Sequence, residues 1–150
     1  MMRSKRLEPV RRLAVERTDR AAVELAAQRR EVEQLQERKA QLESFRDEYR
    51  DQLRQSAERG IDPFRLLDYR AFLARIDAAI VEQEQTIHQG FEAVDRQRTE
   101  WITLRGRSVA LGNVVERLQH DERRHAERLE QNLNDELGRR RVRPRLGERD

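Results

Sequence analysis

Apolar residues recur every three or four positions through most of this chain, and one short segment breaks the recurrence. Spacing of this kind specifies helices that bury a single stripe against another helix. Before the break, Leu7, Ala14, Ala21, Leu35, Leu42 and Tyr49 share one heptad position, and Leu25, Val32 and Leu53 share the position four residues later. After it, Leu66, Leu73, Ile80, Ile87, Val94, Trp101, Val115 and Leu129 lie in one register, with Tyr69, Ile76, Leu104, Leu111 and Leu118 three residues after members of it. These are the a and d seams of a left-handed supercoil.

The break is Gly60-Ile61-Asp62-Pro63. Gly tolerates the left-handed conformation just past a helix end, Asp caps the N–H groups of the next helix, and Pro suits its first position. A stop and a start within four residues make a hairpin bend. Pro9 fits only a first helical turn, so arm one is expected over about 8–59, the bend over 60–62, and arm two over about 63–137, closed by Gly138 and Pro144. At 1.5 Å per residue the arms would measure roughly 80 and 110 Å. The fold class expected is all-α: a long antiparallel two-helix coiled coil, an α-hairpin over 1–138, followed by a disordered basic tail over 139–150.

Antiparallel helices place a opposite d, so facing partners should be numbered symmetrically about the bend. Centring on Ile61 satisfies both seams. Leu53 meets Tyr69, Tyr49 meets Leu73, Leu42 meets Ile80, Leu35 meets Ile87, Leu7 meets Val115, and bulky Trp101 falls opposite Ala21. The seam has flaws: Lys39 faces Gln83, Val32 faces Gly90, and Leu25 faces Gln97. The glycines at 90, 106 and 112 each cost about 1 kcal/mol against Ala in a helix. The half near the bend, from Leu35 round to Ile87, is therefore expected to be firmest, with the rest frayed. Beyond about Leu118 arm two has no partner within the chain.

Composition narrows the function. Only 36% of the 150 residues are hydrophobic and 41% are charged, too few apolar side chains for a compact globule and suitable for a coiled coil. With no cysteine there is no thiolate nucleophile, disulfide or zinc-thiolate site. No phosphate-cradling loop, nucleophile motif or HExxH pair appears, and His120 and His125, five apart, share no helical face for a metal. Neither enzyme activity, cofactor, metal nor small-molecule ligand is expected. The segment Met1–Arg6 lacks the apolar run of a secretory signal, and no stretch is long enough to span a bilayer. A cytoplasmic location follows as the expectation. Residues 139–150 hold six Arg against two acids, so the tail supplies +4 and the remaining chain −1 of the net +3. That tail lacks aromatics for base stacking, and nucleic acid is not an expected partner.

One surface departs from coiled-coil habit. Phe45 and Phe72 occupy g positions, which lie on the same side of an antiparallel pair. Ala79 continues the strip, and Leu42, Tyr49 and Ile76 adjoin it in the seam. Either the rings fold over the seam to thicken the core, or they form a docking patch.

The run Phe45-Arg46-Asp47-Glu48-Tyr49-Arg50-Asp51-Gln52-Leu53, then Gly60-Ile61, Leu67-Asp68-Tyr69-Arg70-Ala71-Phe72-Leu73, Ile76, Ala79-Ile80 and Trp101, resembles the FliJ family of flagellar export proteins, relatives of type III secretion stalk proteins. The likeness extends from Leu7 through Leu13-Ala14 to about Leu129; Pro9 and the Arg-rich tail depart from it. The resemblance implies a non-enzymatic, stalk-like protein of the flagellar type III export apparatus, monomeric in isolation and peripherally associated with the inner membrane at the flagellar base. Its implied partners are a hexameric export ATPase, whose assembly and activity it promotes, the cytoplasmic region of the export gate protein FlhA, and export chaperones. By the same likeness Leu42, Phe45, Tyr49, Phe72, Ile76 and Ala79 would bind the gate. Leu7, Val10, Leu13, Leu118 and Leu129 would bind the ATPase ring, on topology more than on matched motifs. A stalk protein of a non-flagellar secretion system and a generic scaffold are the alternatives.

Overall fold

The computed structural model describes residues 2–142. Two helices, α1 (Arg3–Glu58) and α2 (Pro63–Val142), account for nearly all of them and pack against each other as a hairpin. The bend follows from its residues. Gly60 has φ 85°, the left-handed conformation that ends α1, and its N–H donates to the Ala57 carbonyl at 3.3 Å. The Asp62 carboxylate accepts the Phe64 N–H at 3.2 Å, capping the second position of α2, with Pro63 as the first.

Backbone packing divides the chain into two units. The bend unit is Asp19–Thr103; the terminal unit joins the residues up to Thr18 with those from Leu104 onward.

In the bend unit the shielded positions follow the expected symmetry about Ile61. Ala21, Leu25, Val32, Ile76, Ile80 and Ile87 are buried, and their partners Trp101, Gln97, Gly90, Arg46, Leu42 and Leu35 are each at least partly shielded. Burial is not concentrated nearest the bend: Tyr49, Leu53, Tyr69 and Leu73 are only half-buried, whereas Ala21, Leu25 and Val32 are enclosed. The small residues explain this. A Cβ built on Gly90 would sit 2.9 Å from Cγ2 of Val32, so the missing side chain is what lets the helices close there. The polar layer at Lys39 and Gln83 is resolved by divergence. Gln83 Nε2 donates to the Leu35 carbonyl at 3.0 Å, while Lys39 Nζ turns outward to Glu84 at 3.4 Å and Glu43 at 3.6 Å.

In the terminal unit Val115 is fully enclosed at the level paired with Leu7, and Ala14, Thr18, Leu104, Ser108, Leu111 and Leu118 are half-buried at the expected positions. Three boundaries differ from the sequence expectation. First, α1 begins at Arg3, which leaves Pro9 inside the helix. Pro9 and Lys5, whose carbonyl it deprives of a donor, are both exposed, so the missing bond falls at the solvent-facing surface of the helix. Second, the early start has an anchor: Glu122 of α2 accepts the Ser4 hydroxyl at 2.5 Å and the Ser4 N–H at 3.2 Å. A carboxylate from one helix thus caps the first turn of the other, and Ser4 is 95% shielded. Third, α2 passes through Gly138, which keeps negative φ, and ends at Val142 with Arg139, Arg140 and Arg141 in its last turn, where cations complement the helix dipole. Those three arginines, placed in the tail by sequence, are helical; the tail beyond 142 lies outside the described residues.

Two expectations follow. Gly106→Ala should raise the midpoint of thermal unfolding, by up to about 1 kcal/mol of added stability, because a Cβ there meets nothing within 4 Å. Gly90→Ala should lower it, since the facing β-branched Val32 has little rotamer freedom to retreat. The hydroxyl of Ser4 holds the Glu122 carboxyl below its ordinary value, aided by the Ser4 N–H and Lys5. Its contribution is present above the unfolded carboxylate pKa and disappears as pH falls through the lower folded value. Protection of the Ser4 amide against hydrogen exchange, measured relative to its intrinsic rate at each pH, should therefore fall on acidification, and Glu122→Gln should lower it at neutral pH.

Candidate functional site

The two flanks of the seam in the bend unit differ in chemistry. On the e side, charged groups pair across the helices: Arg46 and Arg50 approach Asp77 at 3.9 and 3.7 Å, and Lys39 approaches Glu84. These are half-exposed contacts worth at most about 1 kcal/mol each, so they align the helices more than they stabilise them. On the g side, among the described residues, aromatic rings stand in place of such a latch. Phe45, Tyr49, Tyr69 and Phe72 form a connected ring cluster, with Tyr49–Phe72 centroids 4.6 Å apart, Tyr49–Tyr69 5.1 Å, Phe45–Phe72 6.1 Å in an edge-on arrangement, and Phe45–Tyr49 6.2 Å.

The rings differ in how far they are shielded. Tyr49, Tyr69 and Phe72 lean over the seam and are half-buried, whereas Phe45 stays 47% exposed. Leu42 and Ala79 are half-buried beside them. Ile76, at 6% exposure, lies within the seam beneath the cluster and supports the patch without offering a surface. The structure therefore brings together Leu42, Phe45, Tyr49, Phe72 and Ala79 over Ile76. Tyr69 completes the cluster; its d position next to a g-position Phe was the signal for it.

The terminal unit carries a second exposed apolar surface. Ala126, Leu129, Leu133 and Leu137 recur at spacings of three and four on α2 and are all exposed, the leucines by 48–62%. Within the described residues no part of α1 covers them. Of the residues expected at a ring-binding surface, Val10 and Leu13 are half exposed and Leu129 is open, whereas Leu7 and Leu118 are half-buried in the seam. Leu133 and Leu137 are additions, legible from their spacing to Leu129. Beside this stripe, Met2, Gln119, Glu122, Arg123 and Ala126 line a shallow hollow next to the Ser4–Glu122 cap.

Among the described residues no group of His, Cys, Asp or Glu could hold a metal ion, and no helix is long and apolar enough to cross a membrane. What the geometry offers is apolar surface suited to protein contact in each unit, the aromatic flank in one and the leucine stripe in the other.

Known proteins share this sequence along both helices. The family model described as Flagellar FliJ protein matches residues 3–147. A Flagellar FliJ protein of Escherichia coli K12 is 28% identical over 134 residues, covering 89% of this chain and 91% of that protein. A Flagellar FliJ protein of Salmonella typhi is 29% identical over 120 residues, covering 73% of this chain and 82% of that protein. No solved structure gives a significant match. The matched span takes in α1, the bend and α2 together with the aromatic flank, and on it the chain belongs to the FliJ family of flagellar proteins.

Proposed function

We propose that this chain is a non-enzymatic, stalk-like component of the flagellar protein export apparatus that binds two partners through separate surfaces. The aromatic flank of the bend unit contacts the cytoplasmic region of the export gate protein FlhA, with Phe45 as the exposed anchor and Leu42, Tyr49, Phe72 and Ala79 around it. The open stripe Leu129–Leu133–Leu137, with Val10 and Leu13, engages the hexameric export ATPase and promotes its assembly and activity. Leu7 and Leu118 shape that surface from within the seam. Export chaperones are further candidates for either surface. The working location is cytoplasmic, at the membrane-bound base of the flagellum.

The observation that carries the reading is the aromatic flank. Four rings gather on a side of the seam where, among the described residues, no ion pair crosses beside them, at residues within the family match, and the outermost ring is left half in water. A coiled coil that only needed to close would place charges there. Exposed aromatics over a rigid support are the usual anchors of protein interfaces.

Phe45→Asp should keep the helicity and reduce gate binding at least about thirtyfold, the loss of a hot-spot residue worth about 2 kcal/mol. Its stimulation of the ATPase should be unchanged. Leu133→Asp should do the reverse, losing ATPase stimulation and keeping gate binding. Calorimetric titration with the gate fragment and a hydrolysis assay read the two effects separately. Normal gate binding by a folded Phe45→Asp protein would remove the assignment.

A further inference from the structure

Opposite the seam, α2 carries a second heptad stripe that the hairpin leaves uncovered. Phe64, Leu67, Ala71, Ala74, Ala78 and Val81 recur at alternating spacings of three and four and occupy its f and b positions. At about 100° per residue these lie roughly 150° round the helix from the buried stripe. All six are exposed, Phe64 by 77%, Leu67 by 61% and Val81 by 54%. An outer face of a coiled coil is normally charged. Here charge is displaced to the two flanking rows, Asp68, Arg75 and Glu82 on one side and Arg70, Asp77 and Glu84 on the other.

We infer that this face pairs with the same face of a second copy of the chain, antiparallel, about a two-fold axis at the level between Phe72 and Leu73. The stripe is self-complementary in that arrangement. Phe64 faces Val81, Leu67 faces Ala78, and Ala71 faces Ala74, each contact occurring twice. The central alanines allow the backbones to approach closely, and the large residues close both ends. Val81 borders a shallow hollow with Glu84, Gln85, His88 and Gln89, and the antiparallel register delivers the Phe64 ring of the other copy to it.

Charge selects this partner and this direction. Antiparallel pairing sets Arg70 beside Asp77 of the other copy on one flank, twice by symmetry, where it joins Arg46 and Arg50 on a half-exposed carboxylate. On the other it sets Asp68 beside Arg75, although on each flank the two copies of one arginine, Arg70 or Arg75, also lie near the axis. Parallel pairing would put Arg70 beside Arg75 and Asp77 beside Glu82, like charges throughout. Asp68, Arg70 and Arg75 make no ion pair within the chain among the described residues. The seam is short and its centre is small, so association is weak and concentration-dependent. The stripe points away from both α1 and the aromatic flank, so the pairing leaves Phe45 free. The monomer expected from sequence is then the dilute state.

Sedimentation of the full chain over rising concentration tests this, with helicity as the folding control. The average mass should climb toward that of two chains, and Leu67→Asp should move the transition at least tenfold higher in concentration. A mass that stays at one chain, or a transition indifferent to Leu67→Asp, overturns the pairing. Direction is read by cross-linking, since the chain has no native cysteine. Leu67→Cys mixed with Ala78→Cys should form the mixed disulfide. Leu67→Cys alone should not link, because its two copies stand roughly 16 Å apart along the axis. Efficient linking of Leu67→Cys to itself would show a parallel pair and overturn the antiparallel one.

Discussion

The structure depends on the facing of residues numbered symmetrically about Ile61, and that facing is imposed by a bend of four residues. A two-helix coil buries one stripe per helix, so no second layer exists to correct a misalignment. A slip of one residue on either helix would turn a and d positions toward water. The left-handed Gly60 and the Asp62 cap therefore do more than end one helix and begin another. They fix which side chains meet. Within the bend unit the consequence is visible far along the chain, where the absent side chain of Gly90 meets Val32. Neither residue would be tolerable at its place if the numbering shifted.

Polar residues in the seam act in the same direction. Gln83 donates to the Leu35 carbonyl, one turn from the opposite residue Lys39, while Lys39 turns to the e side to meet carboxylates. Such a layer contributes less stability than a pair of leucines, but its hydrogen bond exists in one register only. Buried polar groups that specify alignment are a known use of coiled-coil cores. The ion pairs of the e flank add the same kind of selectivity, being too exposed to add much else. With alignment secured from the e side, the g side is released from charge and can carry rings.

Much of this was legible in the residues. The bend was readable because capping is local chemistry, and the seam because its period is set by helix geometry. The aromatic flank was readable because a g-position Phe on each arm must fall on one side. What escaped was decided by tertiary circumstance. Nothing local to Ser4 announces that a carboxylate from Glu122 will cap it, and without that anchor Pro9 looks like a first-turn residue. Gly138 reads as a stop, but three arginines beyond it favour another turn of helix. The burial of Ala21, Leu25 and Val32 was underrated because small and polar partners were counted as defects. At Val32 the small partner, Gly90, is what allows the close approach. Ile76 was grouped with the surface by its neighbours on the flank, although its d position already put it inside.

The segment of α2 between Phe64 and Val81 shows how much a single helix can be asked to carry. Its a and d residues, including Leu73, Ile76 and Ile80, face α1; its g residues Phe72 and Ala79 hold up the aromatic flank; its f and b residues, Phe64 to Val81, form the uncovered back stripe. Apart from Arg65 in the g row, the charges of this segment stand in the c and e rows, at Asp68, Arg70, Arg75 and Asp77. A helix needing only to close a hairpin would spread charge over more than half its surface. Here the charges are confined to narrow borders between apolar faces. Such confinement lowers solubility unless the faces are covered. The apolar back stripe is therefore hard to explain as solvent-facing helix surface, and its cost is removed when another helix lies along it.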